Sequence, residues 1–450
     1  MPTESRLKTS RSARLTQLGR LAGSLAGGVI AEGARQLSSG KRPSMGDLLL
    51  TPDNARKIGE RLSEMRGAAM KVGQLLSMDN GHILPRELSS MLSHLREDAH
   101  RMPLGEVAKI LEREWGSNWQ RHFRRFNFTP LASASIGQVH QAELKDGRRL
   151  AVKIQYPGVQ DSIDSDVDNV AALLRISRLM PEGLDVTPLL DEAKQQLHAE
   201  ADYRLEADLV RHYQGLVADD TRFEVPDICE ELTGGSTLSM QFLDGDPIES
   251  LVTAPTAQRS AVASALLELA LREVFEWGTV QTDPNFANYR YASRTQRIQL
   301  LDFGATRHYS AETVSNLHEL LLAILEGTDE DVFRAAIEVG YISPDDPAGY
   351  RQSILQLLRM VTEPISSGSE FSFHTSDLAQ RMRDHVIAMR TREGFTRLPP
   401  PPVLFLHRKL GGLYLLLSTL QARVPVAALL GQLQTQPSLG LRSRAIGGIR

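Results

Sequence analysis

Cysteine, lysine and long apolar runs are all scarce in this chain of 450 residues. The one cysteine, Cys229, excludes an internal disulfide and a cysteine-rich zinc site. No stretch approaches the roughly 20 uninterrupted apolar residues that a membrane-spanning helix requires, and the nearest candidate is Leu410–Leu420. Only nine lysines stand beside 42 arginines. Because arginine cannot replace lysine where a compact, rotatable ammonium is needed, each lysine is a candidate for a specific role.

Neither sign of charge dominates the chain. It has 51 basic and 55 acidic residues and a net charge of −4, so global basicity does not indicate a nucleic-acid partner, and we expect none. Hydrophobic residues make up 41% and charged residues 24%, which is typical of a globular protein. The length predicts two or three compact units.

The first 42 residues differ from this average. They contain eight basic and two acidic residues, and Gly19, Gly23 and Gly27 repeat at the spacing of small residues that allows close helix contact. This stretch predicts contact with anionic membrane lipids, or a helix contact in a homodimer. A frayed tail, a helix packed on its own domain and an organelle transit peptide are alternative interpretations.

The remaining pattern predicts helices, then a small sheet with one embedded helical region, then a larger helical lobe. Helices are expected from 51 to about 125 and strands from near Phe126. Ile136–Leu144 and Arg149–Gln155, joined at Asp146-Gly147, predict a β-hairpin. Further predictions are helices over Asp164–His212, strands at Phe223–Ile228 and Leu238–Phe242, a β-rich region at Thr279–Leu301, and a final helix after Pro399–Pro402. This order indicates an α+β, two-lobed fold.

Four motifs that could serve one kind of chemistry occur in a characteristic order along the chain. They are Val152-Lys153-Ile154 on a predicted strand, Glu206 in the following helix, Asp283 with Asn288, and Asp302-Phe303-Gly304. Phosphoryl transfer uses such parts: a strand lysine that neutralises phosphates, a glutamate that holds it, an Asp and an Asn that bind metal, and an Asp that orients the nucleophile. Each piece alone is commonly structural, but their order and spacing form a protein-kinase-like signature.

Three departures from that signature matter. The segment that should cover the phosphates, Leu131–Gln138, has one glycine, Gly137, so we expect a stiffer loop than a glycine-rich one. Gln281-Thr282-Asp283 replaces the usual H-R-D, and no A-P-E follows the D-F-G. A conventional peptide-binding activation segment is therefore not expected.

The sequence resembles the UbiB/ADCK-type atypical kinases, also called the AarF family, over about residues 15–425. The motifs that carry the resemblance are Lys71-Val-Gly-Gln74, Ala132–Gln138, Val152-Lys153, Glu200-Ala-Asp202, Gln281–Asn288, Leu301–Arg307 and His407–Gly412. Ser133 departs from the usual alanine of the loop. The resemblance implies a two-lobed protein-kinase-like fold with an N-terminal helical extension that bears the KxGQ motif. The domains expected are a basic, Gly-rich extension at 1–50, the KxGQ region at 51–125, an N-lobe at 126–243 and a C-lobe at 244–450.

The resemblance also implies a set of site residues for ATP or ADP with Mg²⁺. Asp283 would take the position of the catalytic base, and Asn288 and Asp302 would bind the metal. Lys71 would fold over the active site near Glu200 and Asp202. The nucleotide itself would be held by Lys153 with Glu206, by Ala132, Ser133, Ala134, Ser135, Gly137 and Gln138 of the loop, and by Met240, Gln241, Phe242 and Leu243 beside the adenine.

The function that the resemblance implies is an atypical kinase-like ATPase that supports ubiquinone biosynthesis, with hydrolysis coupled to membrane lipids or quinone precursors. A small-molecule phosphotransferase and a nucleotide-switched scaffold for a biosynthetic complex remain as alternatives. Expected partners are anionic lipids, quinone precursors, quinone-biosynthesis proteins and a second copy of the chain. The expected location is cytoplasmic and peripheral to the inner membrane, with the mitochondrial matrix face as the alternative.

Overall fold

The structure is a computed structural model, and it describes residues 62, 65–77, 102–176, 187–366, 370–391 and 399–434. The predictions for the basic stretch at 1–42, including the helix contact at Gly19, Gly23 and Gly27, lie outside the described residues. The chain divides into two compact units. The first unit consists of the chain up to Arg211 together with Pro226–Leu243. The second unit consists of His212–Val225 together with the chain from Asp244 onward.

The first unit is built on an antiparallel sheet flanked by helices. Its helices are α1 (Arg66–Ser77), α2 (Leu104–Trp115), α3 (Val159–Ile176), α4 (Thr187–Ala201) and most of α5 (Tyr203–Leu216). Its strands are β1 (Phe123–Phe126), β2 (Ala132–Ser133), β3 (Gly137–Leu144), β4 (Arg149–Gln155) and β6 (Thr237–Gln241). They run in the order β1-β3-β4-β6, with β2 paired to β3.

The hairpin of β3 and β4 follows from the sequence as predicted. Polar and apolar residues alternate along β4, where Leu150, Val152 and Ile154 are buried, so one face packs on the core of the unit. Gly147 has a φ of +90° at the turn, a conformation that glycine adopts readily. The first strand, β1, begins at Phe123, a few residues before the predicted start of the sheet, because a cluster of aromatic rings with Trp119 covers its inner face.

The helix α1 packs against α3 and α4 within the same unit. Its buried side chains Ala68, Ala69, Val72 and Leu75 recur at spacings of one, three and three residues, which places them on one side of a helix. The predicted helical region over Asp164–His212 is three separate helices, α3, α4 and α5, and α5 begins directly after Asp202.

The second unit is mostly helical. Its helices are α6 (Thr256–Phe275), α7 (Ala311–Glu326), α8 (Asp329–Val339), α9 (Ala348–Val361), α10 (Glu363–Ser366), α11 (Leu378–Thr391), α12 (Pro401–Thr419) and α13 (Val426–Gln434). Its strands are β5 (Phe223–Glu224), β7 (Asp246–Pro247), β8 (Thr279–Gln281), β9 (Tyr289–Ala292), β10 (Arg297–Leu300), β11 (Thr306–His308), β12 (Phe371–Ser372) and β13 (Arg423–Val424). They form a sheet of order β5-β10-β9-β7 and the pairs β8–β11 and β12–β13.

Two predictions about the elements after α5 were wrong in detail. The strand predicted over Phe223–Ile228 is only Phe223–Glu224, because Pro226 lacks the amide hydrogen that would continue the ladder. The helix that starts at the proline run, α12, is followed by β13 and α13 and is therefore not the final element. Pro401 occupies its first turn, where a missing N–H costs no hydrogen bond.

Helices and mainly antiparallel strands in two units agree with the predicted α+β class. Among the described residues, no helix is both long enough and apolar enough to cross a membrane.

Candidate functional site

The ammonium group of Lys153 contacts the Glu206 carboxylate within the first unit. Lys153 lies on β4 opposite Val139 of β3, and Glu206 lies in the first turn of α5. The two side chains are 11% and 3% exposed. A buried charge is stable only when it is paired, so each residue fixes the position of the other. The structure therefore brings the two residues of this predicted pair into contact.

The alanine-rich loop is a tight turn at the edge of the same sheet. Ala132 and Ser133 are exposed on β2, and the Ala134 amide donates a 2.9 Å hydrogen bond to the Gly137 carbonyl. Among the described non-glycine residues, positive φ occurs only at Gln296 and Gln421, so this turn uses backbone conformations that alanine tolerates.

Gly137 is required in this loop for a reason other than its φ. A Cβ atom at this position would lie 2.4 Å from the carbonyl oxygen of Ile154 on β4. The loop therefore joins the sheet through a close backbone approach that only glycine permits. Gln138, the next residue, is 1% exposed within β3.

Lys71 of α1 contacts the Glu200 carboxylate, and Ser135 of the loop donates a 2.8 Å hydrogen bond to the other oxygen of that carboxylate. Lys71 is 4% exposed. A Cβ atom added at Gly67 of α1 would lie 3.1 Å from the Ser135 carbonyl oxygen, so the helix lies directly against the loop. Glu200 thus connects α1 to the loop that should cover the phosphates.

Asp202 has a different set of contacts. It is exposed, and its Oδ1 atom accepts hydrogen bonds from the backbone amides of Arg204 and Leu205, each at 3.1 Å. These contacts cap the start of α5, the helix that bears Glu206. The two carboxylates of the Glu200–Asp202 motif therefore have separate partners.

The four residues predicted beside the adenine lie at the end of β6 and directly after it. Met240 and Leu243 are 4% and 6% exposed, and Gln241 is exposed at the end of the strand. Met240 pairs with Ala151 of β4, and the Phe242 amide donates to the Arg149 carbonyl at 2.9 Å. The segment is thus fixed to the strand that bears Lys153.

In the second unit, Asp283 and Asn288 lie in the segment between β8 and β9. The Asn288 side-chain amide donates to Oδ2 of Asp283 at 3.1 Å, and Asn285 accepts the Ala287 amide at 3.2 Å, which stabilises the single helical turn Phe286–Asn288. Asp302 follows β10, and its Oδ1 atom accepts the Gly304 amide at 3.0 Å. Phe303 is 1% exposed, and its ring packs in a tilted arrangement against that of Tyr213, with the ring centroids 4.6 Å apart.

The donor set at this end of the unit fits Mg²⁺. Asn288 and Asp302 line the same small cavity. The side-chain amide of Asn288 donates to Asp283, so its carbonyl oxygen is the atom that would bind a metal. No group of three or more Asp, Glu, His or Cys that could hold a metal occurs among the described residues. Two oxygen donors suit Mg²⁺, a cation that proteins commonly bind together with substrate phosphates.

Two residues of this site had no predicted role, although the segment His407–Gly412 was noted. Arg408 of α12 contacts Oδ1 of Asp283 at 2.5 Å, and Lys409 lies 2.8 Å from Oε2 of Glu273. Burial alone would lower the pKa of Lys409, but the Glu273 carboxylate and Tyr289 outweigh it, so the pKa lies above its ordinary value. The scarcity of lysine was a signal that could have singled out Lys409.

Comparisons with known proteins show which family this chain resembles. The ABC1 atypical kinase-like domain matches residues 94–336. The mitochondrial atypical kinase COQ8 of Saccharomyces cerevisiae is 34% identical over 429 residues, which cover 94% of this chain and 85% of that protein. The mitochondrial atypical kinase COQ8B of Rattus norvegicus is 35% identical over 424 residues, which cover 94% of this chain and 80% of that protein.

A solved structure is also similar to this chain. Rv3197 of Mycobacterium tuberculosis, in complex with erythromycin, is 28% identical, with a TM-score of 0.57 over 84% of this chain and 94% of that one. The predicted kinase-like fold class is therefore confirmed, as is the resemblance that suggested it. From the extent of the domain match and the identity to the yeast and rat kinases, this chain belongs to the ABC1 atypical kinase-like family, the UbiB family of atypical kinases.

Proposed function

We propose that this chain is an atypical kinase-like ATPase that supports the biosynthesis of ubiquinone, an isoprenoid quinone. It would bind ATP or ADP with Mg²⁺ and couple hydrolysis to the handling of membrane lipids or quinone precursors. Family membership supports the kinase-like chemistry. The contacts within each unit support the role that is assigned to each residue.

One observation carries the preference for hydrolysis over protein phosphorylation. The loop residue Ser135 and the α1 residue Lys71 contact opposite oxygens of one carboxylate, that of Glu200. The chain's own helix is thereby held against the loop, with Gly67 in close approach to the Ser135 backbone. A side of the loop that is occupied by an internal helix is not open to a peptide substrate.

The residues of each unit would have the following roles. Lys153, held by Glu206, would neutralise the nucleotide phosphates, because a paired and buried ammonium stays charged and fixed. Asp283, held on one side by Asn288 and on the other by Arg408, would orient the attacking water. Mg²⁺ held by Asn288 and Asp302 would supply charge stabilisation of the transferred phosphoryl group.

The lipid part of the proposal rests on the sequence of the first 42 residues. Their eight basic and two acidic residues would attract an anionic membrane surface. We propose that the protein acts peripherally at a membrane, on the cytoplasmic face of the inner membrane or on the matrix face of the mitochondrial one. The mitochondrial names of the yeast and rat relatives support the second location. Quinone-biosynthesis proteins and a second copy of the chain are the proposed protein partners.

The test is phosphate release from ATP–Mg²⁺ by the full chain, with neutral vesicles, with anionic vesicles, and with anionic vesicles that contain a prenylated phenol. We expect the anionic vesicles with the phenol to give the fastest release. Absence of stimulation by every mixture would overturn the coupling. Transfer of labelled phosphate to the phenol would identify a small-molecule phosphotransferase instead.

Three altered chains make the test specific. Asp302→Asn should abolish metal-dependent nucleotide binding, while the exposed Asp345→Asn in the same unit should retain it. An unchanged Mg–ATP affinity in Asp302→Asn would show that the metal assignment is wrong. A chain that lacks residues 1–42 should sediment less with anionic vesicles, and equal sedimentation would remove the basic stretch from the proposal.

A further inference from the structure

The segment His407–Gly412 of α12 makes several contacts with the loop that bears Asp283, of which only the contact of Arg408 has been used so far. The first contact is the ion pair of Arg408 with Asp283, in which Nη2 lies 2.5 Å from Oδ1 and the side chains are 9% and 23% exposed. The other carboxylate oxygen, Oδ2, accepts from Asn288. Both oxygens of Asp283 are therefore directed, one by the loop itself and one by α12.

The second contact is made by Lys409 beneath the loop. Its ammonium pairs with Glu273 of α6 at 2.8 Å and lies 3.4 Å from the Tyr289 hydroxyl. Oε1 of the same Glu273 accepts from the Tyr213 hydroxyl at 3.0 Å and from the backbone amide of Gln281 at 3.4 Å. Gln281 precedes the loop and Tyr289 follows it. The buried pair of Lys409 and Glu273 therefore contacts residues at both ends of the loop.

The third contact is a close approach of the α12 backbone to the ring of Pro284. A Cβ atom at Gly412 would lie 2.0 Å from Cβ of Pro284, the residue after Asp283. Glycine at this position lets α12 lie against the loop, with Arg408 one turn earlier on the same helix face.

The loop itself carries no cation. The six residues from Asp283 to Asn288 include neither lysine nor arginine. A loop that must direct a carboxylate toward a phosphate-bearing substrate needs compensating charge, and the only basic side chain found in contact with Asp283 in the described part of the chain is that of Arg408. A guanidinium is suited to this because its planar, fixed donors set the direction of a carboxylate.

We propose that Arg408 is the positioning residue of this active site: it supplies from α12 the cation that the loop lacks and sets the orientation of Asp283, with Lys409 and Gly412 holding the loop against the helix. Arg408 acts through Asp283 and not on the substrate. This inference rests on the proposed function, because Asp283 needs a set orientation only if it directs a nucleophile at the nucleotide.

The test uses Arg408→Gln and Arg408→Lys in the full chain. Arg408→Gln should lower the maximal rate of ATP turnover by about 10- to 100-fold, since a misplacement of about 1 Å costs that much. Its affinity for Mg–ADP should stay near that of the parent, because the metal and phosphate ligands are unchanged. Arg408→Lys should recover part of the rate through a single ammonium–carboxylate contact.

The matched control is Arg259→Gln. Arg259 ties α6 to the end of α12 through the Leu420 carbonyl at 3.1 Å and does not touch the loop. Amide hydrogen exchange supplies a readout that needs no turnover: exchange across 281–289 should accelerate in Arg408→Gln and not in Arg259→Gln. A rate and exchange pattern equal to the parent's would overturn the inference, as would equal losses of turnover and Mg–ADP affinity. A parent without ATP turnover would instead overturn the proposed function. The exchange measurement would then test the contact of Arg408 with the loop by itself, and unchanged exchange across 281–289 in Arg408→Gln would overturn the inference as well.

Discussion

The Lys409 ammonium and the Glu273 carboxylate form an ion pair at 2.8 Å in which the side chains are only 3% and 1% exposed. The pair joins α12 to α6 beneath the segment that bears Asp283. Removing one partner of such a pair leaves an uncompensated charge in the interior, whereas removing both charges does not.

Lys409→Met should therefore lower the free energy of unfolding by about 3–5 kcal/mol, measured by chemical denaturation. The double variant Lys409→Met/Glu273→Gln should recover much of that loss, because the remaining amide oxygen still accepts from Tyr213 and Gln281. Lys194→Met is the control: its ion pair with Asp168 lies at the surface and should contribute about 0–1 kcal/mol. Equal destabilisation by both lysine substitutions would contradict the prediction.

Gly137→Ala should destabilise the first unit by about 1–3 kcal/mol and weaken nucleotide binding, because the added methyl group meets the Ile154 carbonyl oxygen at 2.4 Å. The measurements are denaturation and Mg–ADP titration. In the control Gly215→Ala, no atom lies within 4 Å of the added Cβ. Since Gly215 lies within α5, that change should stabilise the protein by about 0.5–1 kcal/mol. Similar stability of the two variants would refute the close approach.

Acidification should destabilise the second unit through His407. Burial lowers the pKa of this imidazole to about 4, and its Nε2 atom lies 2.5 Å from the Tyr341 hydroxyl. An unfolded histidine titrates near 6.5. Between these values the unfolded chain binds the extra proton, so the contribution is complete above about pH 6.5 and is lost as the pH falls toward 4.

The size of this effect is about 3 kcal/mol at most. It should appear as the difference between the pH profiles of unfolding of the parent and of His407→Gln, with the exposed His374→Gln as control for the same chemical change. Parallel profiles for the parent and His407→Gln would show that the buried imidazole is not the source.

Ala134→Gly should loosen the alanine-rich loop and change the relative affinities for ATP and ADP. Ala134 donates its amide to Gly137 in a turn without positive φ, and glycine would admit other backbone conformations there. Titration of both nucleotides with Mg²⁺ measures the ratio. Ala254→Gly, in a loop of the other unit, is the control. An identical ATP-to-ADP ratio in Ala134→Gly and the parent would reject a role of loop stiffness.

Local patterns in the sequence predicted the elements that local physics determines. Alternation of apolar residues and the Asp146-Gly147 turn predicted the hairpin that places Lys153, and the order of motifs predicted the family. Very short strands such as β7 and β12 were missed because two residues carry no periodicity. The separate capping contacts of Asp202 were missed because a spacing of two residues does not reveal the partner of each carboxylate.

The sequence by itself determined the α+β class, the kinase-like set of charged residues, and two of the nine lysines as candidates for specific roles. Only the tertiary structure decided how Asp283 is held. Arg408 lies 125 residues after Asp283 along the chain, and no helical or strand period relates residues that far apart. Their contact depends on α12 packing against the loop at Gly412 and Pro284, and such non-local packing is specified by the whole core.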